Sequence, residues 1–117
     1  MANYVEINTL NSPYTLDLAS IKGLGGVVSD QIFVKSVDSK CALILGALSG
    51  VVGLPRITVV AIDNTLDIYT TGTDKAFGQA FSCNQDIASG LVVTLPKNCP
   101  IDITKFVSPS QNYWKIG

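Results

Sequence analysis

The groups in this chain that could do chemistry are few. Its 117 residues include no histidine, one glutamate (Glu6), one arginine (Arg56) and three cysteines, Cys41, Cys83 and Cys99. Without histidine, a Ser-His-Asp or Cys-His nucleophile lacks its base, and histidine-ligated metal sites are excluded. The aspartates lie mostly at turns. Asp63, Asn64, Asp67 and Asp74 together offer the oxygen ligands a hard cation takes, but their spacing matches no known calcium loop. Turn formation explains them better. A serine or threonine nucleophile would need a lysine or an α-amine as base, and no motif marks one. Gly23 and Gly25 begin a phosphate-cradle pattern, but Val28 stands where the third glycine belongs, and no helical pattern follows. That stretch reads as a flexible loop or a bulged strand. We therefore expect no enzyme, no cofactor and no metal. The odd cysteine count without a C-x-x-C pair points to buried reduced thiols. A Cys83–Cys99 bond is geometrically open but not indicated.

Charge bounds the partners. Only 15% of the residues are charged, mean hydropathy is +0.36 and the net charge is −1. About 25% charged is ordinary. The seven lysines and Arg56 are scattered, so nothing attracts phosphate over distance and nucleic acid is not an expected partner. Cys41–Leu54 has no charge in 14 residues, but a membrane helix needs roughly 18–20, and Pro55-Arg56 ends the run. No membrane role is expected. The opening MANYVEINTL lacks a basic segment leading into an apolar one, so a secretory signal is not expected.

The elements that would position these residues are β-strands. There are 12 Val, 11 Ile and 9 Thr against a single Glu, Arg and Met. Residues branched at Cβ fit a pleated, half-buried surface. The clearest stretch is Arg56–Gly72, which reads as a β-hairpin around Asp63-Asn64. In that register Ile57, Val59, Ala61, Leu66 and Ile68 share one face, with Thr58, Asp67 and Tyr69 on the other. Further strands are expected at Asn3–Leu10, Tyr14–Leu18, Gln31–Asp38, Ala42–Leu48, Ala76–Cys83, Ile87–Leu95 and Ile101–Val107. Turns are expected at Asn11–Pro13, Asp38–Lys40, Ser49–Leu54, Thr71–Lys75 and Asn84–Asp86, with Pro96–Pro100 a rigid connection. No internal repeat is evident. The fold class is therefore all-β: a small antiparallel β-sandwich or barrel of about eight strands with at most one short helix.

One domain over residues 1–110 is expected, followed by a tail, 111–117, holding Tyr113, Trp114 and Ile116. A terminus with the only tryptophan is docked, on its own core or on a partner, where Trp and Tyr are typical anchors. These three are the candidate interface residues. A surface this poor in charge is weakly defended against association. The expectation is a non-enzymatic structural protein that forms homo-oligomers or docks on a larger assembly. A virion or phage component such as a capsid decoration, cement or tail protein fits best, located in the virion or otherwise in the cytoplasm. The alternative is a small β-sheet module binding a glycan or an apolar ligand, for which Tyr14 and Tyr69 are the candidate exposed aromatics.

Overall fold

The structure, a computed structural model, describes residues 3–16, 31–48, 56–78, 87–108 and 111–117. Nine strands are present and no helix among these residues. They are β1 (Asn3–Ile7), β2 (Tyr14–Leu16), β3 (Gln31–Ser36), β4 (Cys41–Leu45), β5 (Arg56–Ala61), β6 (Leu66–Phe77), β7 (Ile87–Leu95), β8 (Ile101–Ser108) and β9 (Gln111–Ile116). Eight of them form one nearly closed, barrel-like sheet in the order β1-β3-β5-β8-β9-β6-β4-β2, and β7 adds to β6. The molecule is all-β, and its least extent of 20 Å is that of two packed layers.

Strand direction explains how the sheet closes. β1, β3 and β5 pair in parallel, and so do β2, β4 and β6. Asn3 lies beside Ile32 and Tyr14 beside Leu43, both 29 positions apart. Gln31 lies beside Arg56 and Cys41 beside Leu66, both 25 positions apart. The chain therefore repeats one unit three times: a strand, a short arc, and a strand on the opposite layer. These three rungs stack as in a solenoid. A fourth rung, β7 and β8, runs the other way, antiparallel to β6 and β5. β9 turns back along β8 and also pairs in parallel with the far end of β6, joining the two layers.

Two sequence expectations change here. Arg56–Gly72 is an arc and not a hairpin: β5 pairs with β3 and β8, while β6 pairs with β4, β7 and β9. Ile57, Val59, Ala61, Leu66 and Ile68 are all buried, as the alternation requires. Two strands facing each other across a core bury the same set as two strands side by side. The turn separates the cases. A two-residue type I′ loop needs positive φ at both positions, and only Asp63 (φ 59) has it. The second change is the repeat itself, for which no signal was expected. Ile32, Val34, Val37, Asp38 and Leu43 stand in register with Ile57, Val59, Ile62, Asp63 and Ile68. The pairing is accordingly mixed, with antiparallel ladders only at β5–β8, β6–β7 and β8–β9.

The boundaries largely follow the alternation. Ala42–Leu48 is strand over Cys41–Leu45. The turn expected at Thr71–Lys75 is instead the middle of β6, where the pairing to β7 shifts register between Thr70 and Lys75 and Gly72 takes a φ of 64°. The strand reading of Ala76–Cys83 holds only to Phe77, and residues 79–86 lie outside the described residues, as do the glycine stretch 20–29 and the turn 49–54.

Inside, like stacks on like. Ile32, Ile57, Ile103 and Ile116 form one column across β3, β5, β8 and β9, and Val5, Val34, Val59 and Ile101 the next. On the other layer, Tyr14, Leu43, Ile68 and Val93 align. Burying each aliphatic side chain stabilises the fold by about 1.5–3 kcal/mol. The arcs continue the ladder with backbone bonds: Val37 N–H to Ile7 O at 3.0 Å, Ile62 N–H to Ser36 O at 2.8 Å and Asn98 N–H to Ala61 O at 2.6 Å.

One glycine is fixed by the way β9 crosses the core. Gly78 has a φ of 144°, and a Cβ there would run into the Ile116 carbonyl. Gly78→Ala is expected to destabilise the protein by about 2–3 kcal/mol, read as a lower urea midpoint with an unchanged slope. An unchanged midpoint would show that β9 is not held against this position.

Candidate interaction surface

Of the three residues nominated from the tail, Trp114 and Ile116 are part of the core. Trp114 and Ile116 are fully buried, Ile116 beside Ile103, and Trp114 between Lys105 of β8 and Ala76 of β6. The tail is thus docked on its own chain, the first of the two alternatives. The Trp114 indole N–H has no hydrogen-bond partner among the described residues. Tyr113 is half-buried and points outward. Its ring meets Phe77 edge-on at 5.5 Å and Phe106 at 6.2 Å, and Phe77 meets Phe106 at 5.3 Å. Such pairs are worth about 0.5–1.5 kcal/mol each, so this cluster clamps β6, β8 and β9. Of the three, Tyr113 is the one within reach of a neighbour.

The carboxylates do not converge. Asp63 exchanges bonds with Asn98 across the arcs of rungs three and four, at 3.0 and 3.2 Å. Asp67 accepts the Thr94 hydroxyl at 2.7 Å, and the buried Asp74 accepts the Leu48 N–H at 2.8 Å. Each has its own structural partner, and the described residues hold no group of three His, Cys, Asp or Glu fit for a metal ion. Asp67 and Asp74 sit within β6, so their bonds to Thr94 of β7 and to the Leu48 N–H, and not turn formation, account for them. Cys41 is buried, as expected of a thiol used for packing, whereas Cys99 is exposed, and both are free. Cys99 is exposed because it lies on the arc of the reversed rung, outside both layers. Cys83 lies outside the described residues.

Sequence reasoning missed the outer face of β1, β3, β5 and β8. The parallel register brings Tyr4, Phe33 and Thr58 into one row, which Asp102 completes. Tyr4 is 59% exposed and Phe33 42%. On the adjoining arc Leu10 is 95% exposed. Beside this apolar patch lies a polar network. Gln31 Nε2 donates to Thr58 Oγ1 at 2.6 Å, Thr58 donates to Asp102 at 2.8 Å, and Arg56 reaches Asp102 at 2.7 Å. A shallow hollow of about 380 Å³ lies over Arg56, Asp102, Thr104, Lys115 and Gly117. On the opposite layer Tyr69 lines a smaller hollow of about 300 Å³ with Pro13, Ala42 and Ile44, and Tyr14 packs half-buried against the core. The signal for the outer row was present in the alternation of each strand. Only the unseen repeat could have aligned Tyr4 with Phe33.

The Arg56–Asp102 pair is largely exposed, so it adds little stability. Still, the Arg56 guanidinium and then the Thr58 hydroxyl hold the Asp102 carboxyl below its ordinary value of 3.8. A lowered folded value means the contribution is complete above the unfolded value and is lost as pH falls through the folded one. We expect Tm below about pH 4 to fall more steeply for the native chain than for Asp102→Asn. Parallel slopes would show that this carboxylate is not coupled to folding.

Compared with known proteins, the chain matches no family model, no curated relative and no solved structure.

Proposed function

We propose that this chain is a non-enzymatic structural protein that works by assembling with copies of itself, as a component of a larger particle such as a virion or phage. The observation that supports the reading most is the gathering of exposed apolar residues at one end of the stack. Tyr4 and Leu10 belong to rung one, and Phe33 to rung two beside it. The other large exposed hydrophobic among the described residues, Phe106, packs against Phe77 and Tyr113. The chain is also poor in the charges that keep such an end soluble alone. Solenoid-like stacks need a polar terminal unit for solubility, and the described part of rung one offers Glu6 as its one charged side chain. The attachment to a virion or phage rests on fold-level analogy.

A second reading, a glycan-binding module, is favoured by the outer row itself. An exposed aromatic (Phe33) stands beside fixed hydrogen-bonding groups on Gln31, Thr58, Asp102 and Arg56, the combination that takes a sugar ring on one face and its hydroxyls at the edge.

Light scattering after size exclusion, run from dilute to concentrated protein, separates the two. Assembly predicts a mass at a multiple of 12.4 kDa that rises with concentration. A monomer throughout, whose Tm rises with added oligosaccharide, would overturn assembly in favour of the binding module.

A further inference from the structure

We propose that the shallow hollow over β5, β8 and β9 binds an acidic glycan, taking the carboxylate of a uronic acid unit between Lys115 and Thr104. This rests on the second reading above, the glycan-binding module, and names the sugar class and the residues that select it.

The registers of the three strands build the site. Arg56 lies beside Thr104, and Thr104 beside Lys115. Their sequence neighbours Ile57, Ile103, Trp114 and Ile116 are buried inward, so these three side chains stand outward in one row. In the next row Thr58 lies beside Asp102. The hollow of about 380 Å³ opens over Arg56, Asp102, Thr104, Lys115 and Gly117. Exposed aromatic rings flank it on the same face. Phe33 stands beyond Thr58 on β3, and Phe106 is the next outward residue after Thr104 on β8.

What these groups have left to give decides the ligand. Each Asp102 oxygen accepts one bond, from Thr58 at 2.8 Å and from Arg56 at 2.7 Å, and each keeps a second lone pair. Gln31 donates to Thr58 at 2.6 Å, which leaves the Thr58 proton for Asp102 and fixes the carboxylate in place. Arg56 spends one N–H on Asp102 and keeps the other donors of its fork. An acceptor and a donor held side by side match two adjacent sugar hydroxyls, one donating to Asp102 and one accepting from Arg56. Charge then selects the sugar. Asp102 offsets Arg56, whereas Lys115 is exposed and forms no ion pair among the described residues. A ring carboxylate supplies that pair, and the Thr104 hydroxyl, also without a bond among the described residues, donates to its second oxygen. The Asp102 charge in the same hollow works against a phosphate, which brings up to about two charges. The flanking rings take the apolar faces of neighbouring units, so the glycan runs diagonally across the strands from Phe33 to Phe106.

The test titrates the full chain with oligomers of galacturonate, glucuronate and mannuronate, each beside its carboxyl-reduced, neutral counterpart. Binding is followed by calorimetry and by amide chemical shifts. The proposal expects a uronate oligomer to bind at least about tenfold more tightly than its neutral counterpart, with shifts at Arg56, Thr104 and Lys115. Added salt narrows that difference, because the pair at Lys115 is exposed to screening. Lys115→Gln abolishes the difference and leaves Tm and the neutral binding unchanged, since this side chain takes no part in the core. No preference for the acidic member, a preference that survives in Lys115→Gln, or shifts confined to other strands overturns this site and leaves the glycan reading standing. Binding of no oligomer, acidic or neutral, overturns both.

Discussion

The structure depends on keeping three rungs in step on two layers at once. Hydrogen bonds between parallel neighbours fix the register within each layer, and the arcs fix one layer against the other. From Ile7 to Tyr14, from Ser36 to Leu43 and from Ala61 to Ile68 the chain advances by the same number of residues. Each arc therefore delivers the second strand of its rung to the same height and with the same side inward. A one-residue change in any arc would turn an entire strand inside out. The difference between offsets of 29 and 25 falls wholly in the return segments, which join one rung to the next and do not set the facing of its two strands.

That constraint explains why the core is so uniform. A position facing inward on one rung faces inward on the next, and it meets the same neighbours one strand spacing away. The column of four isoleucines across β3, β5, β8 and β9 follows from this, as does the column of three valines and an isoleucine beside it. Ser36 is the exception: it stands between Ile7 and Ala61 with its hydroxyl buried and without a partner among the described residues. The reversed fourth rung keeps the columns while changing the hydrogen-bond pattern from parallel to antiparallel. β9 then ties both layers together with Trp114, and the Phe77, Phe106 and Tyr113 rings hold that seam from outside.

Much of this was legible residue by residue, and less of it rung by rung. Val, Ile and Thr alternating with polar residues marked nearly every strand, because alternation is a local property. Which strand lies beside which is not local. Ile57 to Ile68 bury the same side chains in an arc as in a hairpin, so their pattern could not choose between them, and only the backbone angle at Asp63 does. The repeat was masked because Ile7, Ser36 and Ala61 share a position yet differ in size, and Ser36 also in polarity. Thr71 to Lys75 read as a turn because glycine, threonine and aspartate mark turns, yet β6 runs through them with a shift on one edge alone. The outer row of Tyr4, Phe33 and Thr58 depends on the stacking of strands distant in sequence, so it became visible only with the register. The tail was the reverse case: a lone tryptophan near the end of the chain signalled docking, and the structure supplies the site.

The equal shift on both layers also sets how such a chain could change length. A copied unit of 25 residues inserted at a return segment would lengthen both layers by one strand each and leave every column aligned. Growth at the far end has no such freedom, since β7 and β8 run backwards and a further parallel unit would meet an antiparallel ladder there. The molecule is thus modular in its middle and terminated at one end. Tandem duplication could make it taller, and the fourth rung would still stop it.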